Sequence, residues 1–278
     1  YDSLSRRYRI LNLPILRGAV SFFEMMIIGL KALNFSADVA MQYSEEEQGN
    51  AAAGESLVGR ETGVRENGWK EQAALGATLV FSLGLGIGLF FFLPLLVAQF
   101  LGLQQNALEF NLVAGAVRTT LLVLYMWTIS QWREIQRVFQ YHGAEHKSIF
   151  TLEAGAELTV AAARGFGRLH PRCGTSFMLI VVLFAIAVFA CVDSLFVVVF
   201  GHTQSLFERF ATHFSLLPFI AGISFELLKI SGKKRNHPLT RVLIAPGLWL
   251  QRITTREPDD DQLEVALVAL RCVLGEEA

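Results

Sequence analysis

From Gln72 to Leu108 the chain carries no charged side chain, and the stretch Leu75–Leu103 within it contains the run Phe90, Phe91, Phe92. About 20 apolar residues make a helix long enough to cross a bilayer, so this stretch is read as a first spanning helix. The pattern then repeats. After the polar turn Gln104, Gln105, Asn106 a second apolar stretch runs from about Phe110 to Ser130. A third, from about Gly174 to Phe200, is interrupted only by Asp193, and a shorter fourth runs from about His213 to Leu228. The chain is 53% hydrophobic and 18% charged, against about 25% charged in an ordinary soluble domain, which makes lipid the solvent for much of it. The expected fold class is an all-α polytopic helical membrane protein whose first partner is the lipid bilayer. A net charge of -1 supplies no global basic field, so nucleic acid is not expected as a partner.

Charge placement orients the spans. Arg133, Arg137, Lys147, Arg164, Arg168 and Arg172 lie between spans two and three, and Lys233, Lys234, Arg235 and Arg241 follow span four. The positive-inside bias puts both segments in the cytoplasm, with both termini on that side of the plasma membrane. The two opposite connections are nearly free of Lys and Arg, Arg209 being the exception.

Four regions follow from this reading. Residues 1–35 hold an amphipathic helix from Pro14 to Leu33, with Arg17, Glu24 and Lys31 on one stripe. It is expected to lie in the interface or pack on the bundle, a fifth tilted span being the alternative. Residues 36–71, with Glu45, Glu46 and Glu47, read as a cytoplasmic linker. Residues 72–230 form the four-helix transmembrane domain, with a His- and Cys-bearing insertion at 131–176. Residues 231–278 form a cytoplasmic tail in which Pro258 and Asp259 to Asp261 start an amphipathic helix. Its apolar face docks on the chain itself, on a membrane-protein partner or on a second copy. The cysteines, Cys173, Cys191 and Cys272, are too few and too separated for a disulfide framework, which favours a reducing compartment. The opening at Tyr1, without a methionine or a short apolar signal region, reads as a fragment rather than a chain headed by a signal peptide.

The insertion carries the candidate chemistry. Ile135, Val138, Phe139 and Tyr141 keep helical spacing, so span two is expected to continue as helix and deliver His142-Gly-Ala-Glu145-His146. Histidines four apart share a helix face. This H-x-x-E-H pattern is the inverted form of the zinc-hydrolase motif, in which the imidazoles hold metal and the glutamate serves as base. A second pair, His170-Pro-Arg-Cys173, has knuckle-like spacing, and spans two and three return both pairs to one membrane face. His142, His146, His170 and Cys173 therefore form a candidate ligand set for zinc or a similar divalent metal. Four ligands would close the site and make it structural. A ligand standing off would open a position beside Glu145, the candidate catalytic base. Glu153 and Glu157 are spare carboxylates, with a solvated helix surface as the plainer reading. Glu226 is an accessory candidate whose plainer reading is a local ion pair with Lys229 or an arginine. His202, His213 and His237 lack partners at ligand spacing and read as surface or interface residues.

Two intramembrane charges form the second lead. Arg118 lies about 22 Å of helix from Arg133, and Asp193 about 25 Å from Ser176, so matching depths predict an Arg118–Asp193 ion pair.

The strings Leu16-Arg-Gly18, Trp132-Arg-Glu134, Phe139-Gln-Tyr-His-Gly-Ala-Glu-His-Lys147, Leu169-His-Pro-Arg-Cys-Gly-Thr-Ser-Phe177, Ala245-Pro-Gly-Leu-Trp-Leu-Gln251 and Thr254-Thr-Arg-Glu-Pro-Asp-Asp260 are long and polar. With Lys31-Ala-Leu-Asn34 and Ala221-Gly-Ile-Ser224 they make the chain resemble the YqhQ family of bacterial inner-membrane proteins, a domain-of-unknown-function family labelled a predicted metal-dependent enzyme. The resemblance implies an integral membrane protein with a metal site at His142, Glu145, His146, His170 and Cys173. It supplies no reaction. The chain departs from the family in lacking a glycine-rich N-terminal segment. Three function classes follow: a metal-dependent hydrolase acting on a membrane-proximal substrate, a non-catalytic scaffold or assembly factor with a structural metal, and a transporter or channel using Arg118 and Asp193.

Overall fold

The computed structural model describes residues 3–52, 68–233 and 237–275. Among them the chain is helical without strands, in the order α1 (Leu4–Arg7), α2 (Pro14–Ala52), α3 (Gly68–Ile87), α4 (Leu93–Phe100), α5 (Ala107–Ile129), α6 (Arg133–Glu153), α7 (Val160–Arg164), α8 (Gly174–Phe200), α9 (Leu206–Lys233), α10 (Pro238–Thr254) and α11 (Asp260–Leu274). Four helical stretches are long and apolar enough to span a membrane: Gly76–Phe100, Ala107–Ile129, Gly174–Phe200 and Leu206–Lys229. The protein is thus all-α and polytopic.

The first span joins α3 to α4 through one π-helical turn, Gly88–Phe92. Pro94 has no N–H to give to the carbonyl four residues back, and its ring crowds that carbonyl. Phe90 O is thereby freed, and Arg118 Nε of α5 donates to it at 3.0 Å. A proline in one span thus supplies an acceptor to an arginine in the next.

The second span does not continue as helix into the insertion. Ser130 Oγ and Gln131 Nε2 both donate to Trp127 O, at 2.6 and 3.0 Å. Such local side-chain bonds compete with the helical ladder. Trp132 is then extended (φ -78, ψ 137), and α6 starts afresh at Arg133. The fourth span begins at Leu206, earlier than the expected His213, because Arg209 enters the bundle paired with Asp193, Nε to Oδ2 at 3.4 Å.

Before the spans, α2 runs to Ala52, well beyond the expected end near Leu33, since no proline and no glycine interrupts the chain between Leu30 and Gln48. The first part of the expected 36–71 linker is therefore helix, and residues 53–67 of it lie outside the described residues. α2 packs on α9 where Gly18 meets Gly222; a Cβ on Gly18 would collide with the Gly222 carbonyl. Beside that crossing Arg17 binds Glu226 through both carboxylate oxygens, Nη2 to Oε2 at 2.7 Å. Glu24, buried on the same stripe, accepts Leu4 N–H at 2.6 Å and Ser3 O–H at 2.7 Å. Two of the three stripe charges of α2, Arg17 and Glu24, are thus engaged by the bundle and by residues 3–4, while Lys31 is exposed.

Candidate metal centre

The end of the bundle where α5 and α10 finish and α8 begins carries a small polar subdomain of α6, α7 and α11. Its core is Ala144, Ala163, Leu263 and Leu267. α11 starts at the acidic cluster, with Asp259 as N-cap in a capping box with Gln262. Between α10 and α11 the segment Thr254 to Pro258 lies against α6. Arg256 N donates to Phe139 O at 2.8 Å, and a Cβ on Gly143 would strike the Arg256 carbonyl. Only glycine fits between His142 and the metal-motif residues that follow. Lys147, almost wholly buried, forms an ion pair with Glu257 and donates to Arg164 O at 3.3 Å. Arg168 binds Thr255 through its carbonyl and its hydroxyl.

Those contacts aim the imidazoles. His142 Nδ1 lies 2.8 Å from Thr254 O, and His146 Nδ1 2.5 Å from Arg168 O. A carbonyl can only accept, so both Nδ1 atoms donate, and Nε2 of each ring is left for a second partner. Cys173, the N-cap of α8, supplies it: His142 Nε2 is 3.1 Å from Sγ. One ligand atom from each of His142, His146 and Cys173 lies within 4.8 Å of the others. A histidine that donates its other ring N–H to a backbone carbonyl is oriented as metal-ligating histidines are, and the N, N, S donor set suits zinc. The residues fit the metal.

Electrostatics inside the trio point the same way. Burial pushes the Cys173 thiol up, but hydrogen bonds with His142, His146 and Thr175 outweigh it and hold the group down at about 5. Burial likewise pushes His142 down, and there the Cys173 contact, the Thr254 carbonyl and the nearby Glu145 prevail, so its pKa is raised. The sulfur is held as a thiolate, the form that binds metal.

The fourth expected ligand stands off. His170 Nε2 is 3.3 Å from Glu153 Oε1, and its Nδ1 accepts Arg172 N–H at 3.3 Å. Gln251 of α10 pins the backbone beneath the ring, accepting His170 N–H and donating to His170 O and Ser176 Oγ, each at 2.7 Å. The ring stays close, its centroid 5.7 Å from that of His146, yet outside the ligand trio. Glu153 also pairs with Arg172, so it is not spare. A cleft of about 500 Å³ opens over the trio, walled by Glu145, Glu153, His170 and Arg172 among others. Glu145 is exposed on that wall. Glu157 is exposed and not among the cleft's lining residues, and Glu226 is taken by Arg17.

The chain is matched over residues 13–276 by the family model described as a protein of unknown function, DUF1385. It belongs to that family. It is also 34% identical over 272 residues to the uncharacterized protein YqhQ of Bacillus subtilis (strain 168), covering 96% of this chain and 79% of that protein. No solved structure matches it.

The expected Arg118–Asp193 ion pair is not formed. Asp193 accepts Asn111 Nδ2 at 2.8 Å and lies 2.9 Å from His213 Nε2, with Arg209 beside it. Asp193 is thus level with Asn111, which is about 10 Å of helix from Arg118. Depth measured through Arg133 assumes an unbroken helix, and the break at Ser130–Trp132 removes that yardstick. His213, read as an interface residue, is instead fully buried, stacked on Phe189 at 3.9 Å. Gln251 and Thr254 went unassigned from sequence; their signal was the polar string ending α10.

Proposed function

We propose that this protein binds a zinc-type divalent metal through His142, His146 and Cys173 and uses it to hydrolyse a bond in a membrane-proximal peptide or lipid. One observation carries the reading: the trio converges under a cleft while His170 is clamped aside, so the protein supplies three ligands and leaves a position open, as catalytic zinc sites do. A metal held there supplies Lewis acidity toward a scissile carbonyl. Glu145, exposed on the cleft wall one residue before a ligand, takes a proton from an attacking water and returns it to the leaving group. Thr175 Oγ1, 3.2 Å from Sγ, and the Thr254 and Arg168 carbonyls hold the donors in place. The Lys and Arg content of 131–176 supports a cytoplasm-facing site in the bacterial inner membrane.

Metal content by mass spectrometry on detergent-purified protein tests the reading. One zinc per chain is expected in wild type, lost in His146→Ala and in Cys173→Ser, and retained in His170→Ala and Glu145→Gln. Wild type free of metal in chelator-free preparations ends it.

The scaffold alternative draws on a different observation. α2 presents Phe23, Met26, Ile27, Leu30 and Phe35 uncovered, an apolar surface suited to a membrane-protein partner. A transport reading loses its premise, since Arg118 and Asp193 bind other groups.

A further inference from the structure

Within the four spans, on the side of Arg118 toward the metal centre, lies a cavity of about 480 Å³. Its wall is almost wholly apolar: α3 gives Leu83 and Gly86, α5 gives Leu122 and Met126, and α8 gives Met178 and Val182. Among the described residues that line it, Arg118 is the one charged group. It is 8% exposed. Its Nε is occupied by Phe90 O, its guanidinium lies over the Phe91 and Phe189 rings at 5.1 and 5.6 Å, and its Nη2 has no hydrogen-bond partner. No described carboxylate pairs with it, Asp193 being engaged by Asn111, Arg209 and His213.

A guanidinium at that depth without a counter-ion is costly, and aromatic faces offset only part of the cost. Oxyanions bind guanidinium through charge-assisted hydrogen bonds. The rest of the wall asks for hydrocarbon, and the volume falls in the range of small-molecule pockets. The α3 side is thin, with Ser82 and Leu83 themselves exposed, so the cavity is reached sideways from the bilayer.

We propose that this cavity binds a membrane amphiphile with an oxyanion head of net negative charge and an apolar tail, such as a long-chain carboxylate, with the head on Arg118 and the tail against the α3, α5 and α8 walls. The site stands apart from the metal trio and does not depend on it. It also explains the placing of Pro94, which frees Phe90 O to steady Arg118 from behind.

The test uses the full chain in phosphatidylcholine nanodiscs with radiolabelled palmitate and, as uncharged control, methyl palmitate. Saturable binding of the acid is expected, with the ester weaker by about tenfold or more, the worth of one charged hydrogen bond. Arg118→Gln abolishes that preference. Gly86→Phe, whose added Cβ meets nothing within 4 Å, fills the cavity and weakens acid and ester together. Equal binding of acid and ester to wild type overturns the proposal without recourse to any variant, as does acid binding unchanged in Arg118→Gln. Native mass spectrometry of protein taken straight from membranes separates the sources. A retained fatty acid or a retained anionic phospholipid, either one absent from Arg118→Gln, supports the site, and retention of zwitterionic lipid alone overturns it.

Discussion

Two polar clusters, one with two histidines and one with His213 alone, sit at opposite ends of the same bundle and are built on opposite principles. At the metal centre, His142 and His146 each spend one ring nitrogen on a backbone carbonyl and turn the other toward Cys173, beneath open space. At the far end, His213 and Arg209 turn inward on Asp193, whose oxygens are filled by them and by Asn111. Asp193 is 1% exposed and His213 0%. The first cluster leaves donor atoms free for a ligand. The second closes on itself, at the cost of leaving His213 Nδ1 and Arg209 Nη1 without partners. Imidazoles face a cleft in one place and close a lock in the other, and the difference lies in whether the backbone or a carboxylate satisfies the ring.

The lock around Asp193 is the more sensitive of the two clusters to a single substitution. Asp193→Leu strands Arg209 in the bundle, and removing one partner of a buried pair costs about 3–5 kcal/mol. A large drop in detergent thermal midpoint with zinc content unchanged is expected; loss of zinc as well would show that the two ends are coupled. At the metal centre the matching change is Gln251→Leu, which touches no ligand. Freed from its clamp, the His170–Ser176 turn lets Cys173 wander, and zinc affinity measured by chelator competition should fall about 10–100-fold, the usual cost of losing an outer partner. Unchanged affinity would mean the turn holds itself.

The Cys173 thiol ionises at about 5 in the folded chain, against about 8.5 unfolded. The stability drawn from the thiolate is therefore complete above the unfolded value and is lost as pH falls through about 5. Iodoacetamide should label Cys173 of metal-free protein, in a Cys191→Ser, Cys272→Ser background, at a rate that persists to about pH 5 and collapses below. A rate midpoint near that of an ordinary thiol would remove the imidazole–thiolate contact from the site. The smallest effect belongs to Arg164 and Asp260, an ion pair exposed on both sides. Arg164→Ala should leave both melting and zinc content as they are, since exposed pairs contribute little; a clear loss of either would assign α7 a role in the site.

The spans were legible because hydropathy is a local property: the uncharged run from Gln72 to Leu108 needs no knowledge of its neighbours to be read as a crossing helix. The pairing of His142 with His146 was legible for the same reason, as helical periodicity alone brings positions four apart onto one face. Cys173 followed from its place at the head of a span. His170 did not, because its ring is turned to Glu153 and its backbone is pinned by Gln251, which lies 81 residues away in sequence. Asp193 was misassigned through its depth. The count of residues from each end took α5 and α6 for one straight rod, and the Ser130 and Gln131 bonds to Trp127 O break that rod. For the charges on α2, spacing offered no specific partner, since Arg17 and Glu226 lie 209 residues apart in sequence.

That last contact sets a clock. The Gly18–Gly222 crossing and the Arg17–Glu226 clasp join residues 209 positions apart for the ion pair. At about 5–20 residues per second of synthesis, α2 leaves the ribosome on the order of 10–40 s before its seat on α9 exists. Throughout that interval Arg17 has no carboxylate from α9 and the face around Gly18 has nothing to lie against. The newborn helix must be sheltered by lipid or by an attendant protein until the last span arrives.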